Sequence, residues 1–146
     1  MAIKREDFPL PDVDDAVTAP FYAGAAAGEL RIPKCETCGE FVWFPEPACP
    51  ADGGALEWVA VSGRATLFSW AVVRRAFLPA FEDKTPFVTA LVALDEDPRV
   101  RVPTYIVDAD PASLRADAPV AVDFRPLSFS TVPGKSVVVP MFRVDE

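Results

Sequence analysis

The residues best equipped for chemistry are Cys35 and Cys38, and, ten residues further on, Cys49 and Asp52. Each pair is separated by two residues, so one tight turn can aim both side chains at a single point. Two such turns facing each other supply the four ligands of a tetrahedral zinc ribbon. The usual fourth ligand is a cysteine, and here Asp52 stands in its place. A carboxylate oxygen binds zinc at about 2.0–2.2 Å, so three thiolates and Asp52 form a chemically possible closed set. The alternative is a ribbon that has lost its metal and keeps its shape by packing. Gly39 after Cys38 and Gly53-Gly54 after Asp52 are matching turn residues, which makes Asp52 the equivalent of the fourth ligand position.

The sequence contains no histidine. That removes Ser-His-Asp and Cys-His nucleophile systems, histidine-ligated catalytic zinc and the imidazole general base. Acid–base work would fall to carboxylates, Tyr22, Tyr105 or a lysine, and no constellation of these stands out. The chain is therefore not expected to be catalytic alone. The net charge of −8, from 14 basic and 22 acidic side chains, argues against nucleic acid, whose binders usually show a basic face. The count leaves room for a local cationic patch around Arg74, Arg75 and Lys84, so it weighs against nucleic acid without closing the case.

These groups must be positioned by a chain of 146 residues, enough for one ordinary domain or a small barrel with a lesser appendage. Its 51% apolar and 25% charged residues are the balance of a folded chain. No apolar stretch approaches the roughly 18 residues of a membrane helix, and the first residues lack a signal peptide's apolar run. A cytoplasmic protein without membrane contact is the expectation, and cysteines clustered at metal spacing fit a reducing compartment.

Residues 1–17 are acidic and proline-bearing and read as an extended lead-in with little structure of its own. Thr18 can cap a short helix that runs through Phe21, Tyr22 and the alanines to Glu29, with Pro20 in the first turn and Gly28 as a stop signal. About ten residues are marginal as an isolated helix, so Phe21, Tyr22 and Leu30 need a packing partner, for which another subunit is one candidate. The ribbon follows, with Phe41, Trp43, Phe44 and Trp58 filling the gap to its neighbour. From Ser62 the periodicity is that of strands, in runs 65–73, 87–94, 100–106, 120–124 and 137–142. Between the third and fourth, Asp110 can cap a helical turn that has Pro111 at its first position.

Five strands with a short helix after the third predict a partly open OB-fold barrel, whereas a β-sandwich needs about seven strands. The fold class is thus mainly β: a five-stranded OB-fold barrel preceded by a short N-terminal helix and a small zinc ribbon. The expected divisions are an N-terminal extension and helix at 1–29, a ribbon at 30–60 and a barrel at 61–146. Two connections are too apolar for idle loops: 74–86, with Arg74, Arg75, Phe77, Leu78, Phe81 and Lys84, and 127–135, with Phe129. They correspond to the loops with which such barrels bind ligands. Either they offer a partner surface or a ligand path, or they fold back to finish the barrel core.

With helix, ribbon and barrel in this order, the chain resembles the family known as domain of unknown function 35 from Val17 onward. Its markers are Pro20-Phe21 before the alanine run, the two knuckles, Trp43-Phe44-Pro45, Ser62-Gly63-Arg64, Pro86-Phe87-Val88, Ala90 to Glu96, Asp108 to Pro111 and Val139 to Arg143. The family combines a helical segment, a rubredoxin-like zinc ribbon and an OB-fold barrel. The resemblance implies a companion of thiolase-like proteins that act on acyl-CoA thioesters. Examples are archaeal bridges between thiolase and hydroxymethylglutaryl-CoA synthase, actinobacterial partners of an aldolase that shortens steroid side chains, and companions of acyltransferases. The partner would hold the catalytic residues, and this chain would help enclose the CoA thioester. Asp52 departs from the family's cysteine and leaves metal occupancy open.

The leading expectation is accordingly an accessory subunit of a lyase or acyltransferase complex. Phe77, Leu78, Phe81 and Phe129 would meet the partner or line the acyl path, and Arg74, Arg75 or Lys84 would face CoA phosphates. The alternative is a free-standing OB-fold module for single-stranded nucleic acid or another ligand. An iron-based electron carrier is disfavoured by the missing thiolate.

Overall fold

The computed structural model describes residues 5–145, so the first four residues of the expected lead-in lie outside the described residues. The only α-helix among them, α1 (Ala19–Ala26), carries Pro20 in its first turn, where a missing N–H leaves no carbonyl unpaired. Thr18 makes no side-chain capping bond. Asp15 takes that role: its carbonyl accepts the amides of Thr18 and Ala19 at 3.1 and 2.7 Å, and its carboxylate accepts the Val17 amide at 2.9 Å. The helix also stops short of Glu29. The Glu29 amide donates to the Gly24 carbonyl at 2.8 Å and the Gly28 amide to the Ala25 carbonyl at 3.1 Å, the paired bonds of a Schellman ending.

The ribbon is an antiparallel pair, β1 (Leu30–Cys35) and β2 (Leu56–Val61), in register from Leu30 opposite Val61 to Cys35 opposite Leu56. Five further strands follow: β3 (Arg64–Val73), β4 (Phe87–Leu94), β5 (Arg101–Ile106), β6 (Pro119–Leu127) and β7 (Val137–Val144). Each covers most or all of a run with strand periodicity, because alternation of small or branched apolar residues with polar ones suits a half-buried strand. They close into a barrel in the order β3-β4-β5-β7-β6. The circuit is complete and not partly open: a parallel contact pairs Ile106 with Phe142, and the Val107 amide donates to the Phe142 carbonyl at 2.9 Å. Between β5 and β6, Asp110 caps the 3-10 turn Pro111–Ser113 as expected, its carboxylate accepting the Ala112 amide at 3.0 Å.

Inward-facing Leu67, Val92 and Phe142, together with Ile32 from the ribbon, are fully buried. Burying each such side chain contributes about 1.5–3 kcal/mol relative to exposure. Phe21, Phe41 and Trp43 pack against this core, with the Phe21 and Trp43 rings 5.5 Å apart. The helix therefore finds a packing partner within the chain, on barrel and ribbon. Phe44, grouped with the packing aromatics in the sequence, is 63% exposed.

A second cluster closes the opposite end of the barrel. Leu10, Ala80, Phe129, Val132 and Val137 are buried together, with Tyr22, Phe81 and Val139 against them. Leu10 belongs to the acidic N-terminal stretch, and the buried Asp7 nearby receives the Lys135 ammonium at 2.7 Å. The described part of the lead-in is thus a strap across both apolar loops and not an unstructured approach. No helix among the described residues is long and apolar enough to cross a membrane.

Candidate metal centre and loop surface

The two knuckles hang from the open end of the β1–β2 ladder and are built alike. In the first, the Cys35 amide donates to the Glu40 carbonyl at 2.8 Å and the Gly39 amide to the Cys35 carbonyl at 3.0 Å. In the second, Cys49 donates to Gly54 at 2.9 Å and Gly53 to Cys49 at 2.8 Å. Gly39 and Gly53 have φ of 76° and 71°, the left-handed turn that glycine adopts without steric cost. The backbone therefore pairs Cys35 with Cys49 and Cys38 with Asp52, whatever the fourth side chain is.

Cys35, Cys38, Cys49 and Asp52 each bring one ligand atom within 4.8 Å of the others. A tetrahedral zinc with bonds of about 2.3 Å to sulfur and 2.0 Å to oxygen has S···S edges near 3.8 Å and S···O edges near 3.5 Å. Here Cys38 Sγ lies 3.9 Å from Cys49 Sγ, and Cys35 Sγ lies 3.4 Å from Asp52 Oδ1. The residues fit the ion. Amides of Thr37 and Cys38 point at Cys35 Sγ from 3.4 Å, and the Gly54 amide donates to Asp52 Oδ1 at 2.8 Å. These bonds stabilise the anionic ligands: the Cys38 amide foremost lowers the Cys35 thiol, and the Gly54 amide foremost lowers the Asp52 carboxyl. At Cys38 the Glu40 amide pulls down, but its sulfur neighbours and desolvation together push the thiol up to about 11. Crowded anions of this kind are what a divalent cation relieves.

Gly54 has a role that its place after Gly53 did not reveal. A Cβ there would lie 2.8 Å from Asp52 Oδ1, 2.9 Å from Cys35 Sγ and 2.9 Å from Thr37 Oγ1. Its φ is ordinary, so this glycine supplies space and not a turn. Two bonds that no local pattern signals lie at the junction: Arg99 of the barrel reaches Glu40 of the ribbon at 2.7 Å, and between β2 and β3 the Ser62 amide donates to Glu96 at 2.6 Å. Trp43 Nε1, inside the same junction, is buried without a hydrogen-bond partner among the described residues.

At the loop end the seven expected contact residues divide. Arg74 and Arg75 are exposed, as are Phe77 at 88% and Leu78 at 45%. Phe81 is half-buried, stacked on Phe87 at 5.6 Å and edge-on to Phe129 at 5.2 Å. Phe129 is 4% exposed and belongs to the second core, and the Lys84 ammonium sits 4.9 Å from its ring centroid. A shallow apolar pocket of about 150 Å³ lies beside them, walled by Phe81, Phe87, Tyr105, Leu127 and Met141 with Lys84 at its edge. Of the two tyrosines that could have served as acid–base groups, burial raises both Tyr22 and Tyr105, so each keeps its proton at neutral pH.

Residues 23–58 match the rubredoxin-like zinc ribbon domain of ChsH2, and residues 58–125 match its C-terminal OB-fold domain. A DUF35 domain-containing scaffold protein of Methanothermobacter thermautotrophicus is 36% identical over 96 residues, which cover 63% of this chain and 68% of that protein. A probable enoyl-CoA hydratase alpha subunit of Thermomonospora curvata is 31% identical over 106 residues, covering 71% of this chain but only 32% of the relative. Among solved structures, a chain of the Ltp2-ChsH2(DUF35) aldolase superposes with a TM-score of 0.78 at 27% identity, over 92% of this chain and 98% of that one. A DUF35-family protein of unknown function from Sulfolobus solfataricus shares the fold at a TM-score of 0.56 and 16% identity, over 89% and 86% of the two chains.

Proposed function

The chain belongs to the DUF35 family, and from that premise we propose that it is the accessory subunit of a thiolase-like enzyme acting on acyl-CoA thioesters, by retro-aldol cleavage or acyl transfer. The observation that carries this reading is the end-to-end likeness to one chain of a two-component aldolase. The absence of histidine supports it from the other side, since no imidazole is available to this chain as a general base. The enoyl-CoA hydratase subunit among the relatives adds a second link to acyl-CoA chemistry.

In this reading Phe77 and Leu78 are the apolar anchors toward the partner, held out from a loop whose base is fixed by Phe81 on Phe129. Arg74 and Arg75, exposed beside them, would meet the phosphates of CoA, for which a guanidinium is geometrically suited. Cys35, Cys38, Cys49 and Asp52 would hold zinc. Four protein ligands leave no vertex for a substrate, so the ion would supply structure alone.

The test is to purify the complex gently from its source cells, weigh it by native mass spectrometry and identify its chains. Expected is a heteromer with a thiolase-like subunit that turns over acyl-CoA only when both chains are present. A partner-free chain, a partner of another class, or turnover by this chain alone would overturn the reading. Tight, salt-sensitive binding of single-stranded DNA by the free chain would replace it with the free-standing module.

A further inference from the structure

The two knuckles share a backbone but part company at the residue after the turn glycine. Glu40 follows Gly39 and carries its side chain without obstruction out to Arg99. Gly54, its counterpart after Gly53, has no room for even one carbon. A carboxylate reaches further from Cβ than a thiol and carries two oxygens, so it takes up space that a sulfur leaves free. The Gly54 amide fixes one of those oxygens, Oδ1, which is also the atom at S···O edge distance from Cys35 Sγ. Oδ2 lies further off, at 3.7 Å.

Burial divides the four ligands as well. Cys35 and Cys49 are 2% and 4% exposed, while Cys38 and Asp52 face solvent. Of the two solvent-facing ligands, the carboxylate is the harder donor and the less suited to holding a borderline-soft ion.

We propose that Asp52 closes the site through Oδ1 alone, that Gly54 selects this oxygen by its amide and by the space it leaves, and that the Asp52 corner is the vertex through which zinc enters and leaves. The ribbon would then carry an exchangeable zinc, in contrast to a sealed four-thiolate site. This rests on the zinc reading of the four residues and is independent of the partner reading.

The experiment uses the full chain loaded with zinc, and separately with cobalt(II), against a chromophoric chelator. Asp52→Cys is expected to slow zinc release about tenfold or more and to move the cobalt d–d bands to lower energy as a fourth thiolate binds. Gly54→Ala should weaken metal affinity about 10–100-fold, the usual effect of disturbing a group that orients a ligand. Its cobalt spectrum should change as well, which a merely loosened fold with the same ligands would not produce. Circular dichroism of each metal-loaded variant checks that the barrel is intact. If Asp52→Cys releases zinc at the original rate with an unaltered cobalt spectrum, Asp52 is not the fourth ligand and the inference falls. Stoichiometric zinc in the unaltered chain together with that result would sink the inference alone, whereas failure to bind zinc at all would remove the zinc reading with it.

Discussion

At the ribbon, Cys35, Val42 and Cys49, with Leu56 beside them, are the whole local core among the described residues, whereas the loop end of the barrel buries Leu10, Ala80, Phe129, Val132 and Val137 beneath Phe81 and Tyr22. On the zinc reading the first region is held by ligand geometry and turn hydrogen bonds, and two of its three core residues would themselves be ligands. The second is held by apolar area gathered from three stretches of chain far apart in sequence. A small ribbon cannot bury enough surface to order its own turns. The difference teaches where each region would be vulnerable: the zinc-loaded ribbon to loss of its ion, the loop end to loss of volume.

The sharpest way to break this contrast is to strip the metal. Chelation of the zinc-loaded chain should abolish amide protection across residues 36–55, read by hydrogen exchange, while the strands of the barrel keep theirs. Binding free energy of a structural metal is folding free energy, so no single side-chain substitution should match this effect. If protection in the knuckles survives, packing of Phe41 and Trp43 on the barrel holds the ribbon and the contrast collapses.

The complementary cut is Phe129→Ala. Removing a buried phenylalanine ring costs about 3–5 kcal/mol when the site relaxes only partly. The urea midpoint should fall accordingly, with zinc stoichiometry unchanged. A loss below about 1 kcal/mol would mean that the loop end closes loosely and is not a second core.

The legibility of the molecule in its sequence follows the same division. The strands could be read because their side-chain period of two is local, and the knuckles because two-residue spacing is a local rule. The strap could not: Asp7 and Lys135 meet across 128 residues, and Leu10 sits in an acidic stretch with no periodicity to mark it. Barrel closure between β5 and β7 centres on Phe142, paired with Ile106 and bonded by the Val107 amide, a contact which no pattern in either strand announces. Thr18 has the residue type of a cap, but Asp15, three residues earlier, offers both a carbonyl and a carboxylate and prevails. Gly54 is visible in sequence only as half of a Gly-Gly turn, and its purpose depends on atoms of the other knuckle.

A milder perturbation touches the junction between the two regions. Arg99 bridges Glu40 of the first knuckle and Asp97 of the β4–β5 turn, yet its side chain is 76% exposed. Exposed ion pairs contribute little and are screened by salt. Arg99→Ala should leave the urea midpoint nearly unchanged while speeding amide exchange around Glu40, and added salt should do the same to the unaltered chain. A large fall in the midpoint would show that the ribbon depends on the barrel more than on its ligands.

The smallest effect on stability should come from the most apolar exposed position. Phe77 and Phe81 lie four residues apart on one loop, but Phe77 is 88% exposed whereas Phe81 is stacked on Phe87 and edge-on to Phe129. Phe77→Ala should therefore change the stability of the free chain by no more than about 0.5 kcal/mol, as surface substitutions usually do. Its cost should appear only in the complex, where a truncated aromatic anchor typically weakens binding by about 2 kcal/mol, roughly thirtyfold in Kd. Phe81→Ala should do the reverse, destabilising the free chain first and assembly only through it. Measuring both variants by urea titration and by association with the purified partner separates a surface built for docking from one built for closure. Equal losses of stability would place Phe77 in the core, and unchanged assembly with Phe77→Ala would take this loop out of the interface.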